Sequence, residues 1–318
     1  MKKKPIAVLL TAVILLSFSA VSASAFAIED IYKIGDVNLD GAINIKDATE
    51  LQKILAQLRT AKSEQLEKAD VNYSGSVDIS DVSLLQMTAS GKYRSMAGKR
   101  GVDISSHNGD IDINKIKNAG YEFVMIRCGY GDNYTSQDDT RFAQNVKKCE
   151  QAKMPWGVYL FSYATSTQQA KSEIGHVDRL LKAERAKGYR PTMPVALDVE
   201  WSNYVESNGG WNYKNINNIT TIFLDEIQKR GYYPMIYTGY SELDTMMSAY
   251  IRDNFDCWFA QWYTSPSSYK YHRLGMWQYG GEVDYLESNS ISGVGVIDKN
   301  VSYLDYPMII KTGGYNGW

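Results

Sequence analysis

The chain has 318 residues, with 34 Lys+Arg against 36 Asp+Glu and a formal net charge of −2. That balance excludes a strongly basic nucleic-acid binder, and the length admits one large domain with a small one beside it. Tyr 24, Trp 7 and Phe 8 bring the aromatic share to 12%, dominated by rings with a polar edge, which suit sugar faces as readily as a core.

Lys2, Lys3 and Lys4 precede an apolar run from Ile6 to Leu16, and small residues follow, ending in Ala23-Ser24-Ala25 or Ala25-Phe26-Ala27. Charged, apolar and small segments in that order make residues 1–27 a secretory signal. The run is short for a retained membrane anchor, and no later segment reaches about 18 apolar residues. The expected product is exported, soluble and extracellular, with no membrane attachment after cleavage. Cys128, Cys149 and Cys257 are an odd set for such a chain. Cys128 and Cys257 sit in apolar strand-like runs, which favours buried thiols. A Cys128–Cys149 bridge stays open, because it depends on a Cα separation that sequence does not give.

The segment Asp36-Val37-Asn38-Leu39-Asp40-Gly41-Ala42-Ile43-Asn44-Ile45-Lys46-Asp47 returns 34 residues later as Asp70-Val71-Asn72-Tyr73-Ser74-Gly75-Ser76-Val77-Asp78-Ile79-Ser80-Asp81. Oxygen side chains fall at positions 1, 3, 5, 9 and 12, with Gly at 6, which is the spacing of an EF-hand-type loop. The ligand set is Asp36, Asn38, Asp40, Asn44 and Asp47, then Asp70, Asn72, Ser74, Asp78 and Asp81, with the carbonyls of Ala42 and Ser76 at position 7. Hard oxygens without His or Cys nearby select two structural Ca²⁺ over softer metals. Ser74 carries one charge fewer than Asp40, so the second site is expected to bind more weakly. An amphipathic helix follows each loop, with Leu51, Ile54, Leu55 and Leu58 on the first and Val82, Leu85 and Ala89 on the second.

Too few residues precede Gly35, after the expected cleavage, for a first entering helix. A duplicated calcium loop plus exit helix of this kind resembles the dockerin family, in a small all-α domain at 28–93. The resemblance implies attachment to a cohesin domain of a scaffold protein, with Ile45, Lys46, Ile79 and Ser80 helping to choose the partner. The segment holds 7 basic and 11 acidic residues, so two Ca²⁺ would neutralise it and their removal would leave its carboxylates repelling.

Residues 94–100 are small and basic and read as a linker. Beyond it, at 101–318, strand-like runs occur at Gly101–Ile104, Glu122–Cys128, Trp156–Phe161, Met193–Val199, Tyr233–Thr238, Cys257–Trp262, Met276–Tyr279 and Val294–Ile297. Helical patterns at Asp139–Lys153, Gln168–Lys187 and Asn215–Arg230 separate the earlier ones. This α/β succession predicts an irregular, TIM-like β/α barrel, less regular in its last third. A doubly wound sheet is the alternative, weakened by the lack of a Gly-rich phosphate loop after the first strand. Barrel sites form at the C-terminal strand ends, where Asp103, Asp198, Glu200, Gln261, Gln278 and Asp298 stand.

In Leu197-Asp198-Val199-Glu200-Trp201, strand alternation puts both acids on one face, roughly 7 Å apart between Cα atoms. Their carboxyls could converge to about 5 Å, the separation of retaining glycosidases. Close like charges and burial keep one of such a pair protonated. The other reading, a pair capping a strand or holding a cation, stays beside it. The wider pattern narrows the choice: Gly101-Val102-Asp103-Ile104-Ser105-Ser106-His107-Asn108-Gly109, Gly157-Val158-Tyr159-Leu160-Phe161, the Asp198-x-Glu200 pair, Trp258-Phe259-Ala260-Gln261-Trp262, Trp277-Gln278-Tyr279 and Ile297-Asp298-Lys299-Asn300. Together these resemble the glycoside hydrolase family 25 lysozymes, muramidases that cut peptidoglycan between N-acetylmuramic acid and N-acetylglucosamine.

The resemblance implies Glu200 as general acid/base and Asp198 as the residue that orients the substrate acetamido group. Asp103 and Asp298 would complete the acidic floor, and Tyr159, Gln261, Trp277, Gln278 and Tyr279 would contact sugar. It implies peptidoglycan glycan strands as substrate, no catalytic cofactor and a monomeric catalytic unit. Leu160 departs from the His frequent after the third-strand Tyr. His107 is a candidate for the cleft, whereas His176 and His272 read as surface residues; no metal-ligand spacing links the three. Two other readings stay open: an N-acetylhexosaminidase acting on a chitin-type polymer, and a wall-binding module without turnover.

Overall fold

The structure, a computed structural model, describes residues 34–200, 213–263, 273–284 and 286–318. The expected signal, Trp201 and His272 lie outside the described residues. The N-terminal helices are α1 (Ile45–Leu55), α2 (Ser63–Glu67) and α3 (Ile79–Ala89). Each oxygen-rich loop ends as the N-cap of its helix. Asn44 and Asp78 accept from Lys46 N and Ser80 N, and Asp47 and Asp81 return the bond to the cap backbone, closing two capping boxes. Gly41 and Gly75 take φ of 86° and 82°, the left-handed turn that a Cβ would oppose. Between the helices Val37, Ala48, Leu51, Ala69, Val71, Val82 and Leu85 form a small core. Leu58, expected on the apolar face of α1, is instead exposed past the helix end, where Gln57 turns left-handed.

The following strands are β1 (Lys99–Ile104), β2 (Phe123–Tyr130), β3 (Trp156–Phe161), β4 (Val195–Asp198), β5 (Pro234–Gly239), β6 (Asp256–Ala260) and β7 (Leu274–Gly280). A two-residue hairpin, β8 (Ser290–Ile291) and β9 (Gly295–Val296), precedes β10 (Asp298–Ser302). Helices α4 (Ile113–Asn118), α5 (Phe142–Ala152), α6 (Thr167–Ala186), α7 (Tyr213–Lys229), α8 (Tyr240–Thr245) and α9 (Ala249–Asn254) lie between the earlier strands, and α10 (Tyr306–Thr312) follows the last. The sheet closes as β1-β10-β7-β6-β5-β4-β3-β2.

Its irregularity lies at the end expected. β1 to β7 run parallel, but β10 is antiparallel to both β1 and β7. The eighth barrel strand is therefore Asp298–Ser302 and not Val294–Ile297, most of which forms the outer hairpin. Asp298 begins its strand instead of ending it. Because that strand is reversed, its first residue pairs with Asp103 and reaches the same rim.

Side chains alternate along each strand. The outward set, including Val102, Ile126, Val158, Leu197, Ile236 and Phe259, packs against the helices. Inward, toward the base, lie Phe123, Met125, Met193, Met235, Met276 and Tyr306. All three cysteines are free and buried, so no Cys128–Cys149 bridge forms.

The segment expected as a linker is structured. Lys99 and Arg100 already belong to β1, Met96 is buried against the base of the barrel and Gly98 N donates to Ser302 O at 2.8 Å. Tyr93 OH donates to Asp305 Oδ2 at 2.6 Å, Tyr73 of the second loop packs against the base cluster, and Met308 packs on the core of the small module. The N-terminal helices thus sit against the barrel's base, opposite the rim.

Candidate active site

The rim opens into a cleft of about 820 Å³ whose lining includes Asp103, Arg127, Tyr159, Asp198, Glu200, Tyr237, Trp258, Gln278 and Asp298. A ladder of hydrogen bonds crosses its floor. Tyr237 OH and Trp262 Nε1 donate to Gln278 Oε1 at 2.9 and 3.2 Å. Gln278 Nε2 and Asn300 Nδ2 donate to Asp103 Oδ2 at 3.0 and 2.8 Å. Trp258 Nε1 donates to Asn300 Oδ1 at 2.8 Å. Tyr159 and Tyr237 pack edge-on against Trp258, so aromatic rings support the polar layer from below.

Burial and crowding raise the pKa of each acid. Asp103 is pushed up to about 6 by burial, against the hydrogen bonds from Asn300 and Gln278 that favour its charged form. Asp298 is pushed up to about 8 by burial and then by the charge of Asp103. The two carboxyls are hydrogen-bonded to each other, and the two amide donors on Asp103 leave the shared proton on Asp298. Gly281 makes room for this carboxyl, since a Cβ there would lie 2.1 Å from Asp298 Oδ1. Glu200 is raised by burial and then by Asp103. Asp198 is raised well above the carboxylate range by burial and then by Glu200 and Asp103. Its Oδ1 is buried without a hydrogen-bond partner among the described residues, a state that costs free energy until a donor arrives.

The structure brings Asp103, Asp198, Glu200, Asp298, Tyr159 and Gln278 to one cleft, with His107 also on its wall. It does not bring Trp277 or Tyr279 there. With Gln278 inward, its neighbours must face outward: Trp277 Nε1 donates to Gln261 O at 2.8 Å and Tyr279 OH to Glu287 Oε1 at 2.7 Å. Gln261 braces the rim through its backbone, donating from N to Gln278 O at 3.1 Å, and is not part of the cleft lining. His176, expected at the surface, is fully buried, with its ring nitrogens at Gly131 O and Asp138 Oδ1.

Among the cleft residues that escaped the sequence reading are Arg127, Tyr237, Tyr130 and Tyr163. Arg127 donates from Nε to Asp139 Oδ2 at 2.9 Å and from Nη2 to Ser106 Oγ at 3.0 Å. Tyr237 crosses to Gln278. Each alternates with an inward Met on its strand, Met125 or Met235, and that period of two is the signal that could have found them. Asn300 and Trp258 stood in the motifs without a role.

The two N-terminal loops wind alike. Asp36 accepts from Asp40 N and Gly41 N at 3.0 and 2.9 Å, and Asp70 from Ser74 N and Gly75 N at 2.9 and 2.8 Å. Asp47 and Asp81 are fully buried, and among the described residues no cationic side chain pairs with either. Burial pushes Asp81 up to about 6, a cost that a cation would reverse. No three His, Cys, Asp or Glu side chains gather as a metal cluster among the described residues. The donors fit a hard cation through mixed carboxylate, amide, hydroxyl and carbonyl oxygens.

An acid-floored cleft at the rim of a β/α barrel is the architecture of a glycosidase. Residues 102–287 match the family model of glycosyl hydrolases family 25, and the chain belongs to that family. Residues 34–88 match the dockerin type I domain. Among solved structures, a family 25 glycosyl hydrolase from Bacillus anthracis is 20% identical with a TM-score of 0.51, over 70% of this chain and 96% of that one. The CTP1L endolysin is 19% identical with a TM-score of 0.53, over 67% and 70%. The modular autolysin LytC from Streptococcus pneumoniae is 25% identical with a TM-score of 0.53, over 64% of this chain and 46% of that longer one. No curated protein matches.

Proposed function

We propose that the chain is an exported muramidase that cuts the β-1,4 bond between N-acetylmuramic acid and N-acetylglucosamine in peptidoglycan. The observation that carries this reading is that Glu200, whose pKa burial and Asp103 raise, lines one cleft with Asp198, whose buried Oδ1 lacks a donor among the described residues. Protonated Glu200 gives its proton to the glycosidic oxygen as the bond to the anomeric carbon breaks. The acetamido carbonyl oxygen attacks that carbon to give an oxazolinium. Asp198 accepts the acetamido N–H, a bond that favours its charged form and offsets the charge developing on the ring. Glu200, now a carboxylate, takes a proton from the water that opens the oxazolinium, and the anomeric configuration is retained. Asp103 and Asp298 hold one proton between them, and burial together with the charge on Asp103 raises the pKa of Glu200.

The domain reading is a signal at 1–27, a dockerin at 28–93, a short connection at 94–100 and the catalytic barrel at 101–318. The dockerin would hold Ca²⁺ with Asp36, Asn38, Asp40, Ala42 O, Asn44 and Asp47, and with Asp70, Asn72, Ser74, Ser76 O, Asp78 and Asp81. Calcium would neutralise the buried carboxylates and so fix the fold that a cohesin recognises, placing the enzyme outside the cell on a scaffold.

Clearing of peptidoglycan suspensions with analysis of the released muropeptides tests the reaction. Products ending in reducing N-acetylmuramic acid are expected from the native chain. Glu200→Gln should clear roughly 10²–10⁴-fold more slowly. Undiminished clearing by Glu200→Gln, or release of reducing N-acetylglucosamine, would overturn the assignment.

A further inference from the structure

Beyond the acids, the cleft continues along the arc of rim made by β2 and β3, where Tyr130, Phe161 and Tyr163 line it together with Ser136 and Thr140. Tyr163 is 42% exposed. It is held edge-on by Phe161, with centroids 5.3 Å apart at 73°, and by Tyr130 at 6.1 Å and 78°.

Two buried groups that the reaction does not use fix this trio from behind. Glu173 on α6, 1% exposed, accepts from Tyr163 N and Ser162 Oγ, both at 2.8 Å. His176, one turn further along α6, reaches Gly131 O at 3.1 Å, next to Tyr130, and Asp138 Oδ1 at 2.8 Å. Arg179 grips the same Asp138. Gly131 N in turn donates to Phe161 O at 3.0 Å. Burying a carboxylate and an imidazole is costly unless their bonds are well used, and here those bonds end at the roots of the three rings. The loops are thereby held in one geometry, and what they present to the cleft is a cluster of three aromatic rings.

We propose that Tyr163, backed by Phe161 and Tyr130, is a stacking platform for a further pyranose of the same glycan strand, one or more rings removed from the bond cut at Glu200. The proposal rests on the muramidase reading above. The platform is continuous with the catalytic cleft, whose 820 Å³ lies high in the range of about 300–1,000 Å³ for pockets that enclose a whole ligand and leaves room beyond one ring. A rigid ring offers its face to the C–H side of a pyranose with little side-chain entropy to lose, while Ser136 and Thr140 offer hydroxyl partners at the edge. The ligand class is an N-acetylated hexopyranose within a chain. Glu173 and His176 are positioning residues for the platform.

The test uses the full chain with Glu200→Gln, so that ligands are bound and not cut. Its affinity for peptidoglycan glycan fragments of two and of four sugars is measured by calorimetry, with and without Tyr163→Ala. The preference for the tetrasaccharide over the disaccharide should fall about tenfold in Tyr163→Ala, the scale of one lost ring contact, and return in Tyr163→Trp. Phe161→Leu, which removes support from behind the ring, should lose part of the same preference, and it serves if Tyr163→Ala does not fold. An unchanged length preference in these variants would overturn the platform, and so would equal weakening at both lengths. Failure of the native chain to cleave peptidoglycan would instead overturn the muramidase reading, and the platform with it.

Discussion

At the base of the barrel the inward side chains are Phe123, Met125, Met193, Met235 and Met276; two to five residues on, along the same strands, they become Arg127, Asp198, Tyr237 and Gln278. The inward layer at the base is apolar, and the small helical module packs against that end. The rim is open, acidic and crossed by a hydrogen-bond ladder. Apolar burial at the base stabilises the fold, by about 1.5–3 kcal/mol for each large side chain fully removed from water. The rim carries the opposite sign: its raised carboxyls report like charges and desolvation that cost stability at neutral pH. Stability and chemistry are thus divided between the ends of one set of strands.

The sharpest way to break this division is Asp198→Asn. It should lower turnover on peptidoglycan by roughly 10²–10³-fold, the scale of losing a preorganised electrostatic partner, while leaving thermal stability unchanged or higher. A lower melting temperature would show that the rim also holds the fold. Met276→Ala is the converse, expected to cost about 2–5 kcal/mol in denaturant unfolding with kcat kept in the fraction that remains folded.

Proton linkage sharpens the comparison further. The folded pKa of Asp298, about 8, lies above its ordinary 3.8, so the stability this group contributes is complete below about pH 4 and is lost as pH rises toward 8. Unfolding titrations should show the native barrel weakening over that window, and Asp298→Asn weakening less. Because the charge of Asp103 helps raise Glu200, Asp103→Asn should also move the alkaline limb of kcat/KM to lower pH. The smallest effect belongs to Tyr93→Phe. Loss of its bond to Asp305 should cost about 0.5–1.5 kcal/mol, seen as a lower melting temperature of the calcium-loaded chain with glycan cleavage unaltered.

The carboxylates were legible because they are few and stand at strand ends, where a charge has little other reason to be. The barrel was legible because β1 to β5 alternate with helices of ordinary length. What sequence hid was the direction of the last strand. A short strand reads the same forwards and reversed, and only its pairing with Asp103 and Gln278 shows that Asp298 opens it. Trp277 and Tyr279 misled for a related reason: a run of three polar-edged residues does not declare which of its two faces is inward. Arg127, His176 and Glu173 went unseen as a group because their partners lie 10 to 45 positions away along the chain. Met96 looked like spacer because the cluster that buries it draws on residues as far along the chain as Tyr306.

The antiparallel pairing of β1 with β10 has a mechanical side. β1 enters at the base beside the small module and ends at the rim with Asp103, flanked along its length by β10 and β2. Under the proposed scaffold attachment, a pull between module and cleft would run from base to rim, the direction in which β1 is laid. The ladder bonds on both sides lie across that pull, so they are loaded together in shear and do not open one after another. The strand that brings Asp103 to the cleft is also the strut that joins the module's end of the barrel to the rim, with a ladder on each side.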